Sequence, residues 1–138
     1  MGPVSRYAPP LAIMALIFAL SATPDLSSGL GVWDTVLRKL AHVTIFAALA
    51  LTLLRAARWR RPVLAIAIAL AYAVSDEIHQ HFVEGRHGTP VDVAIDAIGI
   101  GLVALAWVLA ARRRGGVPGP PWPRRPAAGQ AATASRAR

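Results

Sequence analysis

The sequence predicts an all-α, polytopic integral membrane bundle of four transmembrane helices with a disordered C-terminal tail. Three observations predict it. Hydrophobic residues make up 55% of the 138 and only 16% are charged, more apolar surface than a soluble domain of this size hides in one core. The apolar residues collect into four segments, about 7–23, 37–54, 62–78 and 91–111. Each is close to the ~20 residues that cross ~30 Å of hydrocarbon at ~1.5 Å per residue. Finally, the basic residues alternate between successive connections, as they do in an even-numbered multi-pass chain.

The first segment follows Arg6 and centres on the run Leu11–Leu20. With Ser21–Ala22 behind it, the same stretch also fits a cleavable signal peptide, which would leave three spans and unchanged outer loops. The second and third segments are Ala-, Leu-, Ile- and Val-rich without period-2 alternation, so helices fit and barrel strands do not. The fourth runs from Val91 to Ala111. Gly115 to Arg138 is mostly Pro, Gly, Ala and Arg, with little that could form a core. The expected division is therefore a transmembrane domain over 1–114 and a disordered Pro/Arg/Ala-rich tail over 115–138.

A net charge of +8 and a pI near 11.6 are common in nucleic-acid binders, but the distribution argues for topology instead. Arg6, the Arg55, Arg58, Arg60 and Arg61 loop, and the arginines from Arg112 onward make up twelve of the fifteen basic residues. All fall on one side of a four-pass chain, while Arg38, Lys39, Arg86 and all seven acids fall on the other. Both termini are thus expected in the cytoplasm, with the 24–36 and 79–90 loops outward. Cysteine is absent, which removes disulfide and thiolate chemistry.

The stretch Ser75–Asp96 holds five acids, three histidines and an arginine between two apolar runs. Ionisable groups at membrane depth cost up to roughly 2.5–3.5 kcal/mol each on insertion scales, so their presence points to function. Lys39 and His42 are three apart and share a helical face, with Phe46 a turn deeper. Asp76 and Glu77 precede Gln80 by one turn and can share a surface with it. Asp92, Asp96, Gly99 and Val103 form a stripe, and two carboxylates one turn apart repel when both are ionised. Thr89 is placed to cap the fourth helix, with Asp92 in its first turn. Arg86 is the expected anion fork for Glu77, Asp92 or a bound anion. Gly99 and Gly101, with Ala94, Ala97 and Ala104, are expected to let helices approach closely.

From Arg38 to Gly101 the chain resembles the VanZ-like membrane proteins, named for a component of glycopeptide-resistance clusters. The shared elements are Lys39 and His42, then Asp76-Glu77-x-x-Gln80-x-Phe82, Arg86, Thr89, Asp92, Gly99 and Gly101. The resemblance implies a small membrane domain of four or five spans in the cell envelope. Two positions depart from the pattern: Asp96 stands where relatives usually carry asparagine, and Arg38 where they usually carry aspartate.

The chemistry expected of these residues is binding. Lys39, His42, Asp76, Glu77, Gln80, Arg86, Thr89, Asp92 and Asp96 would line an outward polar pocket for a membrane lipid or lipid-linked envelope precursor. An intramembrane acid/base enzyme is the alternative, with Glu77, Asp92 and His42 as catalytic candidates. A structural or partner-binding role for the same polar network is the third, and a homo-oligomer is compatible with all three. No nucleophile elbow, phosphate loop, dinucleotide fingerprint or HExxH is present, and no cofactor is expected. His79 and His81 are two apart and diverge on a helix, so no metal site is expected there with Asp76 or Glu84.

Overall fold

A computed structural model gives the structure and describes residues 2–24, 31–86, 88–113 and 115. Four helices follow in chain order: α1 (Pro3–Ser21), α2 (Val32–Ala56), α3 (Pro62–His81) and α4 (Pro90–Arg113). All four are long and apolar enough to cross a membrane. They form the expected membrane helix bundle, with no strand among the described residues. The tail expected from 115 onward lies outside the described residues except for Gly115.

α2, α3 and α4 outrun their apolar segments, because polar residues at the ends continue the helical turn. α1 instead starts four residues before the expected 7 and ends two before the expected 23. α2 begins five residues before the expected 37, and α3 carries on through His79 and His81. Three of the four helices start on a proline, whose fixed φ suits the first turn and whose missing N–H would have no partner there.

The bundle is inside-out relative to a soluble protein. Leu11, Leu16, Phe18, Leu40, Leu51, Leu64, Leu102 and Leu105 are exposed, whereas Asp76, Glu77, Gln80 and Asp96 are buried. That pattern matches a surface solvated by hydrocarbon, with polar groups buried at one end of the bundle. The apolar core is formed by Ile17, Phe46, Leu49, Ala50, Ala69, Ala73 and Ile100.

α2 and α4 make the most extensive contact, and α1 packs against α2 and α3. Gly99 creates the α2–α4 seam: a Cβ there would lie 2.2 Å from the Val43 carbonyl oxygen and 3.2 Å from the Ala47 nitrogen. Gly101, expected to serve the same contact, has nothing within 4 Å of its Cβ position. Two residues turn a helix by about 200°, so Gly101 points away from the seam that Gly99 faces. At the other side, Tyr72 on α3 donates its hydroxyl to the Met14 carbonyl of α1 at 2.6 Å.

Successive helices run antiparallel, which gathers charge by type at the two ends. Arg6 bonds the Ala56 carbonyl at one end, beside the turn that carries Arg58, Arg60 and Arg61. The acids of α3 and α4 lie at the opposite end.

Candidate functional site

A cavity of about 240 Å³ opens at the acidic end of the bundle. It is lined from α2 by Arg38, Lys39 and His42, from α3 by Glu77 and Gln80, and from α4 by Asp92 and Asp96, with Arg86 from the intervening loop. At ~1.5 Å per residue, His42 lies ~15 Å along α2 from Val32 and Asp96 ~9 Å along α4 from Pro90. The cavity therefore reaches well below the helix ends.

Thr89 and Asp92 form the entrance on α4. The Thr89 hydroxyl donates to Asp92 Oδ2 at 2.7 Å and accepts from the Asp92 N–H at 3.3 Å. This reciprocal cap is the one expected from their spacing. Lys39 reaches across from α2 and donates to Asp92 Oδ1 at 2.8 Å. One turn deeper, His42 Nδ1 lies 3.0 Å from Asp96 Oδ1. Thus the two acids of the α4 stripe are separated by two different partners from the matching stripe on α2, which eases their mutual repulsion.

α3 supplies the cavity wall. Gln80 Nε2 donates to Asp76 Oδ2 at 2.8 Å and lies 3.3 Å from Glu77 Oε1. The other carboxylate oxygen of Glu77 accepts the Thr89 N–H at 3.0 Å. That bond requires the loop to press against α3, and Gly88 permits it: a Cβ at Gly88 would lie 2.1 Å from the Glu77 carbonyl oxygen. Asp76 turns away from the cavity towards α1, where the Ser21 hydroxyl donates to its Oδ2 at 2.9 Å.

Arg86 departs from its expected pairing with Glu77 or Asp92. Its Nε donates to the Thr23 carbonyl at 2.9 Å and a terminal nitrogen to the Leu20 carbonyl at 3.0 Å. The other terminal nitrogen lies 3.3 Å from Gln80 Oε1. Gly85 turns with a positive φ (75°) just before it, and the carbonyls at the end of α1 take the guanidinium in place of the carboxylates. Arg86 lines the cavity, but its main bonds clamp α1 to the α3–α4 loop.

Among the histidines, His79 stacks on Phe18 with ring centroids 4.5 Å apart, and exposed His81 meets Phe82 edge-on. They diverge as their spacing predicts, and His87 lies outside the described residues. Sequence reasoning missed Ser21, which had no partner at a fixed spacing; its acceptor is 55 positions away. A small polar residue closing an apolar segment was the available signal.

The family model of VanZ/LLP1 matches residues 6–111. The chain belongs to the VanZ family. No curated protein and no solved structure matches it. The match takes in all nine candidate residues of this VanZ-family protein, and it reaches back into α1, whose Ser21 and Leu20 complete the polar network.

Proposed function

We propose that this VanZ-family protein is a multi-pass protein of the cell membrane that binds the anionic head group of a lipid-linked envelope ligand in the cavity between α2, α3 and α4. The observation that carries this reading is the convergence of Lys39, His42, Glu77, Gln80, Asp92 and Asp96 from three helices on one cavity inside an apolar shell. Its volume of about 240 Å³ is below the ~300–1,000 Å³ of sites that enclose a drug-sized ligand. That suits a head group, with the chain lying along the exposed leucines outside. Lys39 at the mouth, with its side chain 41% exposed, supplies the cation that an incoming phosphate or carboxylate would meet. The arginine-rich end supports a cytoplasmic placement of both termini, so the cavity faces outward. The resemblance to a glycopeptide-resistance component supports an envelope precursor as ligand.

An acid/base enzyme on the same ligand is favoured by one observation, the approach of Glu77 to the His42–Asp96 pair. The two readings separate in one experiment. Purified protein is incubated with an envelope lipid extract and followed by mass spectrometry, beside Lys39→Met and Glu77→Gln. Stoichiometric retention of one species, lost in Lys39→Met, supports binding. Consumption of one species that stops in Glu77→Gln supports catalysis. Neither outcome would leave the network a structural lock.

A further inference from the structure

Three carboxylates are buried at the acidic end of the bundle, Glu77 and Asp96 against the cavity and Asp76 behind it. Asp76, Glu77 and Asp96 are 4%, 5% and 0% exposed. His42 meets Asp96, its Nδ1 3.0 Å from Oδ1. Lys39 is held by Asp92, and Arg86 by carbonyl oxygens and Gln80.

The hydrogen bonds are also unevenly spread. Asp76 is served by Ser21 and Gln80, and Glu77 by Gln80 and the Thr89 N–H. Asp96 meets His42 at Oδ1, but its Oδ2 is buried with no partner among the described residues. A fully buried carboxylate oxygen left bare is rare because nothing replaces the water it has lost. Such an oxygen is a place where a further donor or a cation can bind.

The geometry admits one. His42, Glu77 and Asp96 each offer a ligand atom within 4.8 Å of the other two. Bonds of ~2.0–2.2 Å to a small divalent ion hold ligand atoms at most ~4.4 Å apart, so slight closure of the side chains completes the shell. An imidazole nitrogen with two carboxylates and no thiolate suits a borderline first-row dication rather than a soft one. We infer that His42, Glu77 and Asp96 hold a divalent metal ion, Zn²⁺ or Mn²⁺, at the inner end of the cavity. Three protein ligands leave coordination positions open on the cavity side, where an oxygen of water or of an anionic group can enter. The three helices would then be tied by one ion at the level where their acids converge.

This site does not depend on head-group binding and is tested without lipid. Full-length protein in detergent is stripped with chelator, loaded with Mn²⁺ or Zn²⁺, desalted and measured for metal per chain. A single ion per chain is expected for at least one metal, with affinity reduced roughly tenfold or more in Asp96→Asn and Glu77→Gln and unchanged in His81→Ala. Because a ligand variant can fail to fold, the wild type gives a second reading. Pulsed electron paramagnetic resonance of the Mn²⁺-loaded protein should detect coupling to an imidazole nitrogen. Retention of neither metal overturns the inference and leaves protons as the charge that answers the carboxylates. Retention equal in wild type and a folded Asp96→Asn, or bound Mn²⁺ without nitrogen coupling, overturns it as well.

Discussion

Lys39 Nζ lies 2.8 Å from Asp92 Oδ1, an ion pair that bridges α2 and α4 at the mouth of the cavity. The side chains are 41% and 29% exposed, and the second oxygen of Asp92 is already taken by the Thr89 hydroxyl. The carboxylate is therefore held in place from both sides, while the ammonium keeps open directions for another anion.

Replacing Lys39 should consequently separate function from stability. Lys39→Met keeps the apolar stem and removes the charge. A pair this exposed contributes ~0–1 kcal/mol, so unfolding of the variant in mixed micelles should shift by no more than that. Retention of an anionic lipid-linked ligand should fall sharply. A large stability loss with retention intact would assign Lys39 to the scaffold instead.

Gly99→Ala and Gly101→Ala should behave oppositely, although they change the same residue type two positions apart. At Gly99 the new methyl would meet the Val43 carbonyl at 2.2 Å, and the neighbour is backbone that cannot swing aside. α2 and α4 must separate, at a cost of ~1–3 kcal/mol, and the Lys39–Asp92 and His42–Asp96 pairs should loosen with them. At Gly101 the methyl meets nothing within 4 Å, and the better helix propensity of alanine should stabilise by up to ~1 kcal/mol. Equal effects in equilibrium unfolding would show that the seam does not run through Gly99.

These glycines also show how far the sequence could be read. Four long apolar segments define four helices whatever their packing, because hydrocarbon leaves the backbone no alternative. The candidate residues stood out for a related reason: ionisable groups beside apolar spans are costly, and Lys39, His42, Glu77, Gln80, Asp92 and Asp96 do line one cavity. Which of them meet was not legible. Gly99 and Gly101 look alike in sequence until a neighbouring helix gives one of them a face. Arg86 looked like a partner for carboxylates, yet the end of α1 offered carbonyls at 2.9 and 3.0 Å. Ser21 could be assigned no partner until α1 was docked against α3.

The α4 cap can be tested at Thr89. Its hydroxyl accepts the Asp92 N–H and donates to the Asp92 carboxylate. Thr89→Ala should cost ~1 kcal/mol in unfolding, within the ~0.5–2 kcal/mol measured for lost caps. Thr89→Ser retains the hydroxyl and should restore most of that stability. If alanine and serine are equivalent, the hydroxyl does not cap α4.

Ser21 and Asp76 offer the most direct test of how α1 joins the site. Asp76 Oδ2 receives the Ser21 hydroxyl at 2.9 Å and Gln80 Nε2 at 2.8 Å, in surroundings where Ser21 is 2% and Asp76 4% exposed. Ser21→Ala removes one of two donors and should cost ~0.5–1.5 kcal/mol. Asp76→Asn keeps the shape, but its amide can no longer accept from both neighbours through one oxygen in every orientation. A double-mutant cycle on this pair should give a coupling of ~0.5–1.5 kcal/mol, whereas sites without shared partners add to within ~0.3–0.5 kcal/mol. Strict additivity would mean that α1 does not reach the acids of α3. The Arg86 bonds to Leu20 and Thr23 would then be what fastens the end of α1 to the α3–α4 loop. Arg86→Ala in the Ser21→Ala background would loosen that end while Tyr72 still holds α1 at Met14.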